Sequence, residues 1–183
     1  VSAWQGLVEH IKLSRGQKVL IHGGAGGIGA FAVQIAKHLG AYVATTVKAC
    51  DIGFVKELGA DEVIDYEAQR FEDLLREYDG VFDASSGDGE AYAQSFQVVK
   101  KGGVVVAMTQ QPNNELAEQY GVSTMRQSTD VTPERLEKIT ELVDQGILKV
   151  VIDKIFPLGE AAEALTYLQT EHTRGKVVLE VKS

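Results

Sequence analysis

The stretch Val19-Leu20-Ile21-His22-Gly23-Gly24-Ala25-Gly26-Gly27-Ile28-Gly29 decides how this chain folds. An apolar run stops at a cluster of glycines, after which Ile28, Phe31, Ala32, Ile35 and Leu39 recur at helical spacing. That switch of period, from a short continuous apolar run to a 3.6-residue stripe, predicts a strand, a tight turn and an amphipathic helix. Within the turn, Gly24, Gly26 and Gly29 fit the spacing G-x-G-x-x-G. Gly24 permits the tight turn, Gly26 lacks the Cβ that would keep a pyrophosphate off the backbone, and Gly29 lets the helix pack close to the first strand. Free N–H groups at the helix start, near Gly27 and Ile28, then face an anion that the helix dipole favours.

Outward from this turn the same alternation continues. Tyr42 to Thr46 reads as a second strand, Phe54, Val55 and Leu58 as a short helix closed by Gly59, and Val63 to Tyr66 as a third strand. Phe71, Leu74 and Leu75 mark a helix before the strand Val81 to Asp83. Tyr92, Phe96 and Val99 mark another, stopped by Gly102-Gly103 before the strand Val104 to Met108. A weaker sixth strand lies near Val122 to Met125. Short apolar strands alternating with helices imply parallel pairing with helices on both faces, a doubly wound α/β sheet of the Rossmann type in the order 3-2-1-4-5-6. Residues 1–147 form this nucleotide-binding domain. From Thr132-Pro133, an N-cap followed by proline, a helix carries Leu136, Ile139, Leu142 and Val143 and ends at Gly146. The segment 148–183 then adds strands around Val150–Ile152, Ile155–Leu158 and Val177–Val181 and a helix with Ala161, Ala162, Leu165 and Leu168. These exceed what six parallel strands need, so they are expected to pack on something else.

Composition narrows the partners. A chain of 183 residues, 44% hydrophobic, is long enough for one self-supporting domain with an appendage. Eighteen basic against 26 acidic side chains leave a net charge of −8, which argues against nucleic acid or an anionic membrane as partner. No apolar run approaches the roughly 18 residues of a spanning helix. The single cysteine, Cys50, excludes an internal disulfide and a Cys-rich zinc finger and fits a reducing, cytoplasmic setting. The chain opens Val1-Ser2-Ala3-Trp4 without methionine or a signal-peptide pattern and enters directly on helical spacing at Trp4, Leu7, Val8 and Ile11. A fragment of a longer protein is the expectation.

The end of the second strand bears on which dinucleotide the turn would hold. A cofactor lacking a 2′-phosphate usually meets an acid there, whereas Ala44-Thr45-Thr46-Val47-Lys48 contains none. Asp51 comes later and reads as the cap of the next short helix. Thr46 can donate a hydroxyl hydrogen bond and Lys48 offers a cation, so NADP(H) is expected over NAD(H). The plainer reading of Lys48 is a solvated loop lysine.

With Ala32-Val33-Gln34-Ile35-Ala36-Lys37 behind it, the glycine turn resembles that of the medium-chain dehydrogenase/reductase superfamily, quinone oxidoreductase branch. So do Phe54-Val55-Lys56-Glu57-Leu58-Gly59-Ala60-Asp61-Glu62-Val63-Ile64-Asp65-Tyr66 and the opening Ala3-Trp4-Gln5-Gly6-Leu7. Phe156-Pro157-Leu158-Gly159-Glu160-Ala161-Ala162-Glu163-Ala164 with Arg174-Gly175-Lys176-Val177-Val178 resembles the family's C-terminus. The resemblance covers essentially the whole chain and implies that an N-terminal substrate domain is missing, with residues 148–183 returning to it. It implies NADPH-dependent hydride transfer to a quinone, an enone or a carbonyl. Alternatives are the cofactor half of a zinc-dependent alcohol dehydrogenase and a non-catalytic NADPH-binding module. Carried over by position, Gly26, Gly27 and Ile28 would hold the diphosphate. Thr46, Lys48 and Tyr66 would surround the 2′-phosphate and adenine, while Ser85, Ser86, Met108 and Thr109 would line the nicotinamide side. Ser2 stands where the family commonly has threonine. Two departures are Cys50, where relatives often place lysine, and Ser85-Ser86-Gly87, where Val-Gly-Gly is commoner. A homodimer through the sixth strand is also implied.

No residue in this chain reads as a general acid or base. His22 reads as a core or loop histidine and Asp83 as a structural or ribose-side hydrogen-bonding group. His10, His38 and His172 share no ligand spacing and with Cys50 make no tetrahedral zinc site, though zinc in the missing half stays open. No phosphate loop of the Walker type and no serine nucleophile elbow competes.

Overall fold

Six strands pair in parallel in the computed structural model, which describes residues 1–87 and 89–181. They are β1 (Lys18–His22), β2 (Tyr42–Val47), β3 (Glu62–Asp65), β4 (Tyr78–Asp83), β5 (Val99–Ala107) and β6 (Ser123–Arg126), in the order β3-β2-β1-β4-β5-β6. The order and the parallel pairing are those expected from the sequence. β1 lies centrally, with Leu20 opposite Ala44 of β2 on one side and Val81 of β4 on the other.

The continuous apolar strands follow from burial on both faces. Alternate side chains point to opposite faces of a strand. Val19 and Ile21, with Val43, Phe82 and Val106, pack toward α2 (Gly29–His38), whereas Leu20, Ala44, Ile64, Val81 and Val105 face Phe71, Tyr92 and Phe96. Phe71 lies on α4 (Phe71–Leu74), and Tyr92 lies on α5 (Glu90–Ser95) with Phe96 just after it. The remaining helices are α1 (Ser2–Trp4), α3 (Ile52–Glu57), α6 (Asn114–Tyr120), α7 (Pro133–Asp144) and α8 (Ala161–Thr170).

Two local readings change. Val99 belongs to β5 and not to the preceding helix: it pairs with Tyr78, and the register then jumps so that Gly80 faces Val104. Gly102 (φ +79°) and Gly103 take up that irregularity inside the strand, so they bend it instead of ending a helix. The opening helical pattern is one turn, α1, continued as a π-helix over Gln5–His10 with Ile11 N–H donating to Gly6 O at 3.0 Å. There Gly6 lies against the Phe82 ring, where a Cβ would meet Cε2 at 2.4 Å.

The tail is a separate parallel pair, β7 (Ile152–Pro157) and β8 (Lys176–Glu180), bridged by α8. It is tied to the main domain through Gln34 on α2, whose side chain donates to Lys149 O (3.2 Å) and accepts from Lys149 N–H (2.8 Å). Beyond this anchor it keeps apolar side chains in the open, with Ile155 55% and Leu165 62% exposed. Lys182 and Ser183, the end of the expected segment 148–183, lie outside the described residues.

Candidate functional site

Because β1 sits between β2 and β4, the connections leaving β1 and β4 depart to opposite faces of the sheet, and a crevice opens at their carboxyl ends. A cleft of about 610 Å³ occupies this place. Its floor is His22, Gly23, Ala25 and Gly26, one wall is Thr46 to Lys48 with Tyr66, and the other is Ala84 to Gly87.

The glycines of the turn divide the work differently from the sequence reading. The positive φ, +73°, belongs to Gly23, not Gly24. Gly24 is required by contact, since a Cβ there would lie 2.1 Å from Thr45 Oγ1, which itself donates to Ile21 O at 2.7 Å. Gly29 seats the helix on the turn: its Cβ would stand 2.0 Å from Gly23 O. Gly26 fits the ligand-approach role, for a Cβ there would meet only Gly23 O, at 3.3 Å. The amides of Gly23 and Gly24 are spent on Thr46 O and that of Gly26 on Gly23 O. Those of Gly27 and Ile28 have no acceptor among the described residues, so they are free to donate at the start of α2.

On the β2 side the cleft is lined by Thr46, Lys48 and Tyr66. Tyr66 is half exposed, offering a ring face. Lys48 Nζ pairs with Glu67 at 3.2 Å, and this hydrogen bond raises its pKa, keeping it cationic. Thr46 is buried, with Oγ1 2.9 Å from His22 Nδ1. The sequence reading missed Gln69 and Arg70, which also line this side; Arg70 is held by Glu72 at 2.6 Å.

Ser85 and Ser86 line the opposite wall. Ser85 is fixed by Asp83, whose Oδ1 accepts from its hydroxyl at 2.6 Å and its amide at 3.0 Å, so Asp83 is a structural acceptor. Gly27 and Ile28 line a smaller hollow of about 160 Å³ with Ser2 and Lys176. Neither space is lined by Met108 or Thr109: Met108 packs on the core with its amide donating to Asp83 O, and Thr109 is exposed just beyond. Gly24 and Gly29 shape the turn from beneath.

What separates the two spaces is a strap, residues 172–176. Gly175 N–H donates to Ala25 O at 2.9 Å, and Gly175 O comes so near Gly27 that a Cβ there would be 2.9 Å away. The strap is locked by Asp51, 1% exposed, whose carboxylate meets His172 Nε2 at 2.5 Å and Arg174 Nε at 2.6 Å. Asp51 therefore makes no side-chain cap bond to α3. Its role was invisible from spacing because the partners lie more than 120 positions along the chain; Arg174-Gly175-Lys176 was legible only as a family-like motif.

Cys50, Asp51 and His172 are the one set of potential metal ligands within mutual reach among the described residues, their ligand atoms within 4.8 Å of one another. The set does not suit zinc. Both oxygens of Asp51 are engaged, one by a guanidinium, and no fourth protein donor stands with them.

His22, 1% exposed, bridges β1, β2 and α5. Burial lowers its pKa, opposed by the charges of Asp83 and Glu72. The folded ring is thus neutral where the unfolded one, with an ordinary pKa of 6.5, begins to take a proton. Stability is full above pH 6.5 and falls as the pH drops below it, by up to about 1.4 kcal/mol per pH unit. Urea midpoints at pH 7.5 and 5.5 measure this; His22→Gln should flatten the difference.

Three comparisons join this geometry. The sequence profile of a family described as zinc-binding dehydrogenase matches residues 58–179. The chloroplastic NADPH-dependent alkenal/one oxidoreductase of Arabidopsis thaliana is 36% identical over 185 residues, covering 97% of this chain and 44% of its own length. The 2-methylene-furan-3-one reductase of Solanum lycopersicum gives the same identity and coverage. Among solved structures, the quinone oxidoreductase from Coxiella burnetii superposes with a TM-score of 0.90 at 32% identity, covering 99% of this chain and 57% of that one. The chain thus spans less than half the length of these two curated relatives. Among the described residues, no helix is long and apolar enough to cross a membrane.

Proposed function

Because the chain belongs to the zinc-binding dehydrogenase family, within the medium-chain dehydrogenase/reductase superfamily, we propose that it is the cofactor-binding part of an NADPH-dependent reductase of quinones, enones or related carbonyls. The observation that carries this reading is the glycine turn: Gly26 open to the cleft, with the amides of Gly27 and Ile28 unspent at the start of α2. Bound there, the dinucleotide supplies hydride chemistry. The turn holds its diphosphate, Lys48 and Tyr66 take the adenosine end, and Ser85 and Ser86 bound the way toward the nicotinamide. The Cys50, Asp51 and His172 set supplies no zinc site to this reading, because both Asp51 oxygens are engaged. Two NADPH-linked or enone-reducing relatives support the substrate class, and the absence of an acid at the end of β2 supports NADPH over NADH.

The exposed apolar side of β7, α8 and β8 supports a further part of the proposal, that residues 148–181 pack on a substrate domain. β6, which among the described residues pairs only with β5, is an open edge of the sheet and the one through which a homodimer would form.

Titration of the full chain with NADPH and NADH tests the reading; binding of neither overturns it. Lys48→Ala is expected to weaken NADPH by about tenfold, the loss of one charge-assisted contact, while leaving NADH within a factor of about two. Equal losses for both coenzymes would remove Lys48 from the 2′-phosphate.

A further inference from the structure

A buried polar chain leads inward from the cleft wall. Thr46 Oγ1 lies 2.9 Å from His22 Nδ1, His22 Nε2 lies 2.9 Å from Ser95 Oγ, and Ser95 Oγ lies 2.7 Å from Ala91 O. Thr46, His22 and Ser95 are 4%, 1% and 0% exposed.

The protons of this chain can be assigned from its far end. A carbonyl has no proton, so the short contact at Ala91 O requires the Ser95 hydroxyl to donate there. A hydroxyl has one proton, so Ser95 Oγ has only lone pairs left for His22, and Nε2 must carry the N–H. Burial keeps the ring neutral, which leaves Nδ1 bare. The Thr46 hydroxyl must then donate inward to Nδ1. All that Thr46 Oγ1 has left for a group in the cleft is lone pairs.

We propose that Thr46 is a hydrogen-bond acceptor for the bound dinucleotide, pairing with a ribose hydroxyl and disfavouring a phosphate oxygen, and that His22 is the positioning residue that sets this polarity. The proposal rests on the dinucleotide reading above and gives Thr46 the polarity opposite to the hydroxyl donation expected from sequence. The 2′-phosphate is left to Lys48.

Two measurements test it. Nitrogen-15 NMR of histidine-labelled full chain reads the tautomers directly. With four histidines in the sequence, the His22 ring is the signal that disappears in the spectrum of His22→Gln. A proton on Nε2 and a bare Nδ1 are expected; a proton on Nδ1 overturns the assignment, with or without coenzyme. Thr46→Val is expected to weaken NADH by about five- to tenfold, the loss of one hydrogen bond, and NADPH by no more than that, with Thr46→Ser restoring binding. Selective loss of NADPH, or no loss for either coenzyme, overturns the proposal. Failure of the unmutated chain to bind either coenzyme condemns the dinucleotide reading instead, while the tautomer still decides the polarity.

Discussion

Gly29→Ala is expected to cost at least about 3 kcal/mol of stability and to abolish dinucleotide binding with it. A methyl group there would stand 2.0 Å from Gly23 O, 2.7 Å from Gly23 C and 2.8 Å from Gly24 Cα. All three obstacles are backbone atoms of the turn, so no side chain can rotate away; helix α2 must lift off the turn or the turn must open. Overpacking of a well-filled site usually costs about 1–3 kcal/mol, and a backbone obstacle puts this case at or above the top of that range. The loss is compounded by function, because lifting α2 moves the amides of Gly27 and Ile28. Gly53→Ala is the control: it lies on α3 with nothing within 4 Å of its added carbon, and a helical Gly→Ala change is worth up to about 1 kcal/mol of stabilisation. Thermal and urea denaturation of both variants checks this. A Gly29→Ala chain as stable as Gly53→Ala would mean that the helix does not sit on the turn as described.

The second large effect is expected at Asp51. Asp51→Ala removes the carboxylate that holds both His172 and Arg174, leaving Arg174 with Cys50 O (2.6 Å) and the face of Phe54. Breaking a buried ion pair costs about 3–5 kcal/mol when the survivor is buried too. Here the side chains of His172 and Arg174 are each 43% exposed, so water can solvate them, and the loss should be nearer about 2 kcal/mol. It should be local. The strap 172–176 is released from the glycine turn while the six-stranded sheet stays folded. Limited proteolysis after Arg174 should therefore speed up well before global unfolding, and NADPH affinity should fall because His172 and Thr173 leave the cleft wall. Unchanged cleavage at Arg174 would show that the backbone bonds of Gly175 and Lys176 hold the strap without Asp51. Asp51→Asn, which keeps the size but not the charge, is expected to fall between the two.

These two sites differ in how far they could be read in advance. The G-x-G-x-x-G spacing already marked Gly29 as the place where helix meets strand, because that contact is local: the residues involved are six apart. Even so, the spacing placed the tight turn at Gly24, whereas Gly23 holds the positive φ and Gly24 is confined by Thr45, a neighbour across β1 and β2. Val99 shows the same limit. Its apolar character fits a helix stripe as well as a strand, and only its pairing with Tyr78 makes it part of β5. Thr46 and Lys48 were found from the missing acid at the end of β2, yet the partners that set their chemistry, His22 and Glu67, come from other elements.

Local order along the chain was enough for the doubly wound sheet, its strand order and the glycine turn between β1 and α2, since alternating periods and glycine spacing report on neighbours a few residues apart. Contacts between residues far apart in the chain set the rest: the Asp51 lock on the strap, the buried path from Thr46 to Ala91, and the grouping of Gln69, Arg70, His172 and Thr173 around one cleft. Such contacts depend on how helices and strands stack in three dimensions, and a hydrophobic pattern carries no record of which polar groups that stacking will bring together.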